Sequence, residues 1–302
     1  MNRTVTTQID PERCIGCGLC VRVCPSGTLS MQGDRAVVTG IRSLGCGHCA
    51  AICPADAVRV TALENESLDF QTFSEERAWL PFGEYDTAQL VRLLRSRRSC
   101  RNYSDKPVSP ALLEDLVRIG ITAPSGTNSQ KWTFTLLPTR DHVMALGERI
   151  GLFFRKLNRL AEKPWLRNGL KWLGKSQLDG YYREYYESVR DALAEYENTG
   201  RDRLFHGAAA AIIVGAGPGG SCPAEDALLA TQNILLGAHA MGLGSCLIGF
   251  AVEAMKNDRA IARSAGIPDE ESVCAVIALG WPDAEYRRLT GRKRFTLRYS
   301  EK

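Results

Sequence analysis

The spacing of the cysteines constrains this chain more than any other feature of its sequence. Seven of the eleven cysteines lie between residues 14 and 53, and the first run ends in a proline: Cys14, Cys17, Cys20, Cys24 and Pro25. Thiolates are soft ligands that suit iron–sulfur clusters, and two-residue spacings let a tight loop bring three sulfurs to one cluster. The first run therefore predicts an iron–sulfur site near the N-terminus.

The pattern repeats after 29 residues, because residues 43–60 align with residues 14–31. The second set of cysteines and its proline fall on the first: Cys46, Cys49, Cys53 and Pro54. This duplication resembles the two-cluster bacterial ferredoxins, in which the last cysteine of each run ligates the other cluster. The resemblance implies one [4Fe-4S] cluster held by Cys14, Cys17, Cys20 and Cys53. It implies a second cluster held by Cys24, Cys46 and Cys49.

The second run departs from the ferredoxin pattern at its first position, where Ser43 stands in place of a cysteine. A hydroxyl is harder and less acidic than a thiol, so serine is a poorer ligand for iron. The second cluster is therefore expected to be a [3Fe-4S] cluster, or a [4Fe-4S] cluster with Ser43, water or another ligand on one iron. His48 is a candidate for that ligand, although a place beside the cluster is the favoured interpretation. Zinc also binds Cys-x2-Cys pairs, but the triple spacing and the repeat favour iron–sulfur clusters.

The length of 302 residues suits one small and one large domain. We expect the iron–sulfur domain to cover residues 1–60. Residues 61–85 are acidic, lack a regular period and include Pro81-Phe82-Gly83, which indicates a linker. Residues 86–302 then form a second domain.

A second informative pattern begins in residues 95–103, which combine four arginines with hydroxyl side chains. Guanidinium forks bind phosphate oxygens in pairs, so this run suits a phosphate. About twenty residues later comes Ala-Pro-Ser-Gly-Thr-Asn-Ser-Gln-Lys-Trp, residues 123–132. Together these segments resemble the nitroreductase family of FMN enzymes. The resemblance continues through three further segments: residues 226–249, Gly280-Trp281-Pro282 and Arg292-Lys293-Arg294.

The family resemblance also implies which residues hold FMN. The positions that match its phosphate and ribityl contacts are Arg97, Arg98, Ser99 and Arg101, joined by Arg292 and Arg294. The loop along the isoalloxazine ring matches Pro124, Ser125, Gly126 and Asn128. The loop whose backbone faces the ring matches Leu247, Ile248 and Gly249. No catalytic acid, base or nucleophile is predicted, because the flavin carries out the hydride chemistry itself.

The expected fold class is α+β, with a small ferredoxin-like domain of duplicated βαβ units fused to a nitroreductase-fold domain. The second domain should contain a central mixed or antiparallel sheet flanked by helices. Sequence patterns predict four of its elements: strands over residues 209–215, 273–279 and 295–299, and a helix over residues 223–241. The resemblance further implies a homodimer with FMN at the subunit interface and a C-terminal segment that reaches onto the partner.

Residues 151–205 diverge from the family pattern, and we expect a helical insert or lid there. A basic residue recurs every four positions between residues 155 and 175, with apolar residues between, and Pro164 should break the helix. Three interpretations remain open: a lid over the flavin, a docking face for an acidic electron-donor protein, and a membrane-surface helix.

The combined pattern predicts an oxidoreductase that passes electrons from a low-potential donor, ferredoxin-like or NAD(P)H, through the clusters to FMN. The expected acceptor is a small organic molecule such as a nitroaromatic, a quinone or an activated alkene. The alternatives are an electron-transfer or redox-sensing subunit that serves a protein partner, and a family branch that carries out reductive dehalogenation or flavin fragmentation. An open cavity over the flavin would favour an enzyme.

Charge and hydropathy bear on the partners and the compartment. The formal charge of +4 is too small to argue for a nucleic-acid surface, and no apolar run is long enough for a transmembrane segment. The polar residues 1–8 leave no room for a signal peptide. The expected location is therefore the cytoplasm, where thiols stay reduced.

Overall fold

The computed structural model of the protein describes residues 4–300, apart from the side chains of residues 65 and 66. Its N-terminal part contains two antiparallel strand pairs and two short helices. These elements are β1 (Thr7–Ile9), α1 (Leu19–Val23), β2 (Leu29–Gln32), β3 (Arg35–Val38), α2 (His48–Ala51) and β4 (Val58–Val60). β1 pairs with β4, and β2 pairs with β3. The strands and the two helices share one core of buried cysteines and aliphatic side chains.

The sequence repeat is visible in the backbone of this part. Gly18 and Gly47, which are 29 residues apart, have φ angles of 71° and 76° and immediately precede α1 and α2. Gly16 and Gly45 form a second such pair, with φ angles of 72° and 61°. At Gly16 an added Cβ would lie 1.9 Å from the Asp34 carbonyl oxygen. The two cysteine loops therefore follow one backbone path that depends on glycine.

The larger part is built on a four-stranded antiparallel sheet with the order β5-β6-β8-β7. Its strands are β5 (Trp132–Leu137), β6 (Ala210–Ala216), β7 (Gly244–Leu247) and β8 (Ser272–Gly280). β6 is buried along its whole length, which explains its unbroken run of apolar residues.

Helices cover both faces of the sheet. They are α3 (Thr87–Ser96), α4 (Pro110–Gly120), α5 (Arg140–Ala161), α6 (Pro164–Trp172), α7 (Gln177–Glu184), α8 (Tyr186–Thr199), α9 (Pro223–Ala240), α10 (Gly249–Asn257) and α11 (Arg259–Ser264). Alternate residues of β6 point to opposite cores: Ile213 packs with the cluster that includes α5 and α10, and Ile212 packs with the cluster that includes α4 and α9. The predicted α+β class is confirmed.

Most of the elements predicted from sequence patterns are confirmed to within one residue. The exception is the strand expected over residues 295–299, which is wrong, because residues 291–300 form no regular structure. Phe295 and Tyr299 are 84% and 85% exposed, so this tail has no neighbouring strand among residues 4–300. Pro164 breaks the helix as predicted, since α5 ends at Ala161 and α6 begins at Pro164.

The connection between the two parts is held against α4. The backbone N–H groups of Gln71 and Thr72, together with the Thr72 hydroxyl, donate hydrogen bonds of 2.6 to 3.0 Å to the carboxylate of Asp115. Arg118 donates to the same carboxylate at 3.0 Å, and Asp115 is fully buried. The linker is thus docked on the larger part. Among residues 4–300, no helix has the length and apolar character needed to cross a membrane.

Candidate functional site

The predicted phosphate-binding arginines follow α3 and lie along the edge strand β7. Ser99 forms a parallel bridge with Ser245, and the N–H of Cys100 donates to the Ser245 carbonyl at 2.9 Å. Burial raises the pKa of the Cys246 thiol, whereas the positive charges of Arg101 and Arg97 act to lower it. Both guanidinium groups are therefore close to the end of β7.

These two arginines create a positive region without a counter-ion. Burial lowers the pKa of His206, and the charge of Arg101 lowers it further. His239 shows the same pair of causes, with Arg97 as the neighbouring charge. Within residues 4–300, the guanidinium groups of Arg97 and Arg101 have no hydrogen-bond or ionic partner. Unpaired arginines in fixed positions suit a phosphate dianion, so the residues present fit FMN.

The third predicted arginine of this run, Arg98, points to the C-terminal segment instead. It donates a hydrogen bond to the Thr290 hydroxyl and lies 6.0 Å from the centre of the Tyr286 ring. This contact brings the beginning of the C-terminal tail to the arginine run. Arg292 and Arg294 lie just beyond it and are exposed.

The loop over residues 124–130 is strained and firmly anchored. Thr127, Asn128 and Gln130 have positive φ angles of 53°, 55° and 48°, which are unfavourable for residues other than glycine. The carboxylate of Asp226, at the start of α9, accepts hydrogen bonds from the Gly126 N–H at 2.8 Å and the Ser129 hydroxyl at 3.0 Å. Asp226 is only 3% exposed, and its two hydrogen bonds to the loop stabilise the strained conformation.

The side chain of Asn128 in this loop contacts the iron–sulfur part of the chain. Its amide nitrogen donates to the carbonyl oxygens of Gly45 at 3.0 Å and Leu44 at 3.4 Å. Gly45 lies between Ser43 and Cys46 in the second cysteine run. The loop assigned to the flavin ring is thus in direct contact with the loop assigned to the second cluster.

The structure does not bring all the predicted flavin residues together within one chain. The loop over residues 124–130 is fixed to Asp226 at the start of α9, whereas Arg97 lies near His239 at its end. Thirteen residues of helix separate Asp226 from His239, which corresponds to about 20 Å. Two groups of predicted contacts to one cofactor therefore lie at opposite ends of α9.

The register of the sheet gives the same separation. Trp132, which follows the loop, pairs with Ala216, and Ala216 pairs with Ser272. Leu247 instead pairs with Ile277. Three strand spacings across the sheet and five residues along it place Trp132 about 20 Å from Leu247. The residues next to the two predicted ring-facing loops are therefore about 20 Å apart within one chain.

A cavity of about 1270 Å³ opens between the lid helices and the end of β7. Its lining includes Arg101 and the predicted ring-facing residues Leu247, Ile248 and Gly249. Four rings form an aromatic wall of this cavity and stack or meet edge to face at centroid distances of 5.5 to 6.4 Å: Phe154, Tyr181 and Tyr185 of the helical insert, and Phe250 of α10. Such a wall suits a planar molecule.

A buried polar contact within residues 151–205 holds α7 against α5. The Tyr181 hydroxyl donates to Oδ1 of Asn158, a buried residue of α5, at 2.6 Å. The outer face of α6 carries Trp165 and Trp172, which are 70% and 90% exposed. The segment therefore lines the cavity with its inner face and leaves a basic, aromatic outer face free.

The cysteines predicted for the first cluster come together at their thiols. Burial raises the pKa of Cys20, and the neighbouring thiols of Cys14 and Cys53 raise it further. The N–H of Ala57 donates to the sulfur of Cys53 at 3.2 Å. Cys17, the remaining cysteine predicted for this cluster, is exposed. Backbone donors aimed at a cysteine sulfur suit a ligand to an iron–sulfur cluster.

The cysteines predicted for the second cluster form a matching group. Burial raises the pKa of Cys49, and the thiols of Cys24 and Cys46 raise it further. The N–H of Thr28 donates to the sulfur of Cys24 at 3.3 Å, the counterpart of the bond in the other half. Ser43 lines the same small cavity as these three cysteines. No three His, Cys, Asp or Glu side chains among the described residues converge on a point suited to a single metal ion.

Comparison with known proteins agrees with this arrangement. The sequence profile of the Nitroreductase family matches residues 94–281, more than half of the chain. The chain belongs to the nitroreductase family. A 4Fe-4S binding domain profile matches residues 7–30, which include the first cysteine run. This nitroreductase-family protein is thus an FMN-dependent oxidoreductase with an N-terminal iron–sulfur domain of the ferredoxin type.

Individual relatives cover most of the larger part. The chain is 26% identical over 215 residues to the 4-nitrobenzoate reductase of Nocardioides, with 64% of this chain and 81% of that protein covered. It is 30% identical over 145 residues to iodotyrosine deiodinase 1 of Sus scrofa, with 44% and 48% covered. A nitroreductase of Bacteroides fragilis solved with bound FMN has a TM-score of 0.53 at 22% identity, covering 70% of this chain and 99% of its own. That structure has the same fold.

Sequence patterns did not predict the roles of two structurally important residues. Asp226 and Asp115 lie inside helices and form buried anchors for segments distant in sequence. An acidic residue in the first turn of a helix that begins at Pro223 is a usable signal for Asp226, because it suits the helix N-terminus. Asp115 has no such signal. Outside the two cysteine runs, Cys100 and Cys246 are buried, Cys274 is partly buried and Cys222 is exposed.

Proposed function

We propose that this FMN oxidoreductase receives electrons from a low-potential donor at its iron–sulfur domain and delivers them to a planar organic acceptor. The contact between Asn128 and Gly45 carries this proposal, because it joins the second cysteine run to a flavin loop. Bound FMN supplies the redox chemistry, accepting electrons singly or as hydride and passing a pair to the acceptor. We assign the iron–sulfur domain to residues 1–60, the linker to 61–85 and the flavin domain to 86–302.

The residues proposed to bind FMN require two copies of the chain. Arg97 and Arg101 would hold the phosphate beside Leu247–Gly249 of one copy, and residues 124–128 of the second copy would complete the ring site. The separation of about 20 Å between these groups within one chain supports a homodimer with two shared sites. The exposed tail with Arg292 and Arg294 is long enough to reach a partner.

The proposed clusters are held by the two cysteine groups described above. The first would be a [4Fe-4S] cluster. The second, with Ser43 in the place of a cysteine, would be a [3Fe-4S] cluster or a [4Fe-4S] cluster with a non-cysteine ligand. Such centres need reduced thiols, which supports a cytoplasmic location.

The acceptor proposed first is a nitroaromatic, quinone or activated alkene. The aromatic wall formed by Phe154, Tyr181, Tyr185 and Phe250 supports a flat substrate, and so does the similarity to a 4-nitrobenzoate reductase. The cavity volume of about 1270 Å³ leaves room for a substrate beside a flavin.

Reductive dehalogenation of an aromatic amino acid is the second candidate. Lys175 and Glu184 line the same cavity as Tyr181, so charges of both signs flank an aromatic surface. This combination suits a zwitterion attached to a ring, and one relative is an iodotyrosine deiodinase. Turnover of a halotyrosine together with no turnover of nitroaromatics would select this candidate over the first.

The test is reduction of the purified, oxygen-free protein, followed by flavin absorbance. We expect reduced ferredoxin to bleach the flavin promptly, and NADH and NADPH to do so slowly or not at all. Prompt bleaching by a nicotinamide would contradict entry through the iron–sulfur domain. The reduced protein is then mixed with each acceptor class, and reoxidation identifies the substrate class.

A further inference from the structure

We infer that the second cysteine run of each chain serves the flavin whose phosphate is bound by the other chain. Electrons would therefore cross the subunit boundary between the iron–sulfur domain and the arginines that hold the flavin. The inference rests on the proposed shared flavin site. It goes beyond that site because it assigns each iron–sulfur domain to one of two flavins.

The first step is the position of the iron–sulfur domain within its own chain. Asn128 bonds to the carbonyl oxygens of Leu44 and Gly45, and the linker is docked on α4 through Asp115. Two separate contacts thus fix the domain beside the loop over residues 124–130. The second run, with Ser43 and Cys46, is the half that faces this loop.

The second step is the distance from that loop to the arginines of the same chain. Trp132, which follows the loop, lies about 20 Å from Leu247 across the sheet, and Arg101 lines one cavity with Leu247. Electron transfer slows steeply with distance, so the same chain's arginine-bound flavin is the remote one. In a shared site, the loop that Asn128 belongs to completes the flavin site of the other copy.

Full reduction of each flavin takes two electrons and two protons. A reduced ferredoxin-type protein supplies one electron at a time to the iron–sulfur domain. Two such electrons, with two protons taken from water, reduce the flavin of the opposite site by two electrons. No bond between protein atoms forms or breaks. Asn128 belongs to the loop proposed to complete the ring site, and its side-chain amide acts as a positioning group, because it holds the cysteine loop.

Two matched heterodimers, purified through different tags on each chain, test the inference. The arginine substitutions Arg97→Ala and Arg101→Ala abolish one phosphate site, and Cys46→Ala removes one second cluster. In the split heterodimer, one chain carries the arginine changes and the other carries Cys46→Ala. In the stacked heterodimer, one chain carries all three changes and its partner is native. Each should bind one FMN.

The readout is the fluorescence lifetime of oxidised FMN, which a nearby iron–sulfur cluster shortens. If electrons cross, the only flavin of the split heterodimer lies beside an intact second cluster. Its lifetime should stay as short as in the native dimer, and reduced ferredoxin should still bleach it. The stacked heterodimer should show a longer lifetime and lose this bleaching. The opposite pattern, or identical behaviour of the two, would overturn the inference.

FMN content separates this inference from the proposed flavin site. If a homodimer of the arginine variant still binds two FMN molecules, the proposed site is wrong, whatever the lifetimes show. Iron and sulfide content verifies that Cys46→Ala removes the second cluster and retains the first.

A second variant covers the case in which Cys46→Ala unfolds the domain. Asn128→Asp replaces the amide donor with a carboxylate that faces two carbonyl oxygens, while all cysteines remain. We expect faster hydrogen exchange in residues 43–49 and a longer FMN lifetime, with unchanged iron content. An unchanged lifetime despite faster exchange would contradict the positioning role of Asn128.

Discussion

At the scale of single residues, Ser43 decides the character of the second iron–sulfur site. It occupies the position that Cys14 holds in the first run, and it lines a small cavity with Cys24, Cys46 and Cys49. Its hydroxyl accepts a hydrogen bond from the Gly45 N–H at 3.0 Å. The side chain is thus in place beside the proposed cluster, but it offers oxygen instead of sulfur.

We expect Ser43→Cys to complete the cysteine set of the second cluster. If the native cluster has three irons, the variant should gain about one iron per chain. If it has four, its reduction potential should shift, because a thiolate replaces a harder ligand. Iron analysis and electron paramagnetic resonance of the anaerobic protein measure both. Ser264→Cys, far from the clusters, is the control, and no change in iron content, spectrum or potential would contradict the prediction.

Arg101 is the residue at which FMN affinity should be most sensitive. Its guanidinium has no partner among residues 4–300 and lines the main cavity. We expect Arg101→Ala to weaken FMN binding by about 10- to 100-fold, because a charged hydrogen bond contributes about 1.5–3 kcal/mol. Arg101→Lys should lose less, since it keeps the charge without the fork.

Equilibrium titration of the apoprotein with FMN measures this effect. Arg92→Ala, which removes an exposed arginine from the same region of the chain, provides the control. Equal losses for Arg92→Ala and Arg101→Ala would mean that general charge, and not a defined site, holds the cofactor.

At the scale of elements, the linker depends on α4 for its position. Burial alone would raise the pKa of Asp115, but hydrogen bonds from Thr72, Gln71 and Arg118 outweigh it and hold the pKa below its usual value. A carboxyl whose pKa is lowered on folding stabilises the folded state above its unfolded pKa, about 3.9. This contribution is lost as the pH falls through the folded pKa.

We expect Asp115→Asn to release the linker at neutral pH. Replacing a buried carboxylate that accepts several hydrogen bonds should cost about 1–3 kcal/mol. The free energy of local unfolding, from hydrogen exchange of residues 69–73, reports this cost, with Glu270→Gln, an exposed acidic residue away from the linker, as the control. The difference between native and variant protein should shrink at pH values below about 4. Equal exchange at neutral pH would show that the carboxylate charge is not needed.

The lid helices form a second element whose role can be measured. Tyr185 stacks on Tyr181 and meets Phe250 edge to face at 5.7 Å. We expect Tyr185→Ala to raise KM for a planar acceptor by about fivefold, equivalent to about 1 kcal/mol of aromatic contact. FMN content should stay unchanged. Trp172→Ala, on the outer face of the lid, should leave KM as it is, and a rise in KM for both variants would contradict an inner binding wall.

At the scale of the whole molecule, the C-terminal tail indicates an assembly larger than one chain. Phe295, Leu297 and Tyr299 are 84%, 64% and 85% exposed, and they alternate with polar residues as in a strand that lacks its neighbour. The arginine contact at Thr290 starts this tail beside the flavin region. A partner subunit would supply the surface that these side chains lack.

We expect the triple change Phe295→Ser, Leu297→Ser and Tyr299→Ser to weaken the dimer and reduce FMN retention together. Burying each such side chain contributes about 1.5–3 kcal/mol, and the proposed flavin site needs both copies. Sedimentation equilibrium and FMN content measure the two effects, with Arg298→Gln as a control in the same tail. A stable dimer with full FMN content would show that the tail does not form the interface.

Local chemistry made much of this protein predictable from its sequence. The cysteine spacing, the glycine positions and the arginine run are short-range patterns, and each can be interpreted without knowledge of the fold. The buried strand β6 and helix α9 were predictable from apolar periodicity and from Pro223. The conformation of the tail at Phe295–Tyr299 was not predictable. An alternating pattern indicates that a strand could form, but it does not indicate whether a neighbouring strand exists to pair with it.

By itself the sequence determined two nearly equivalent cysteine loops, because these follow from ligand chemistry and spacing, and its motifs implied the fold class and FMN through their resemblance to the nitroreductase family. Only the tertiary structure decided which groups meet. It joined Asn128 to Gly45, buried Asp115 under the linker and placed Trp132, which follows the loop held by Asp226, about 20 Å from Leu247. These contacts link residues far apart along the chain, so they depend on how the sheet and α9 pack and not on any local pattern.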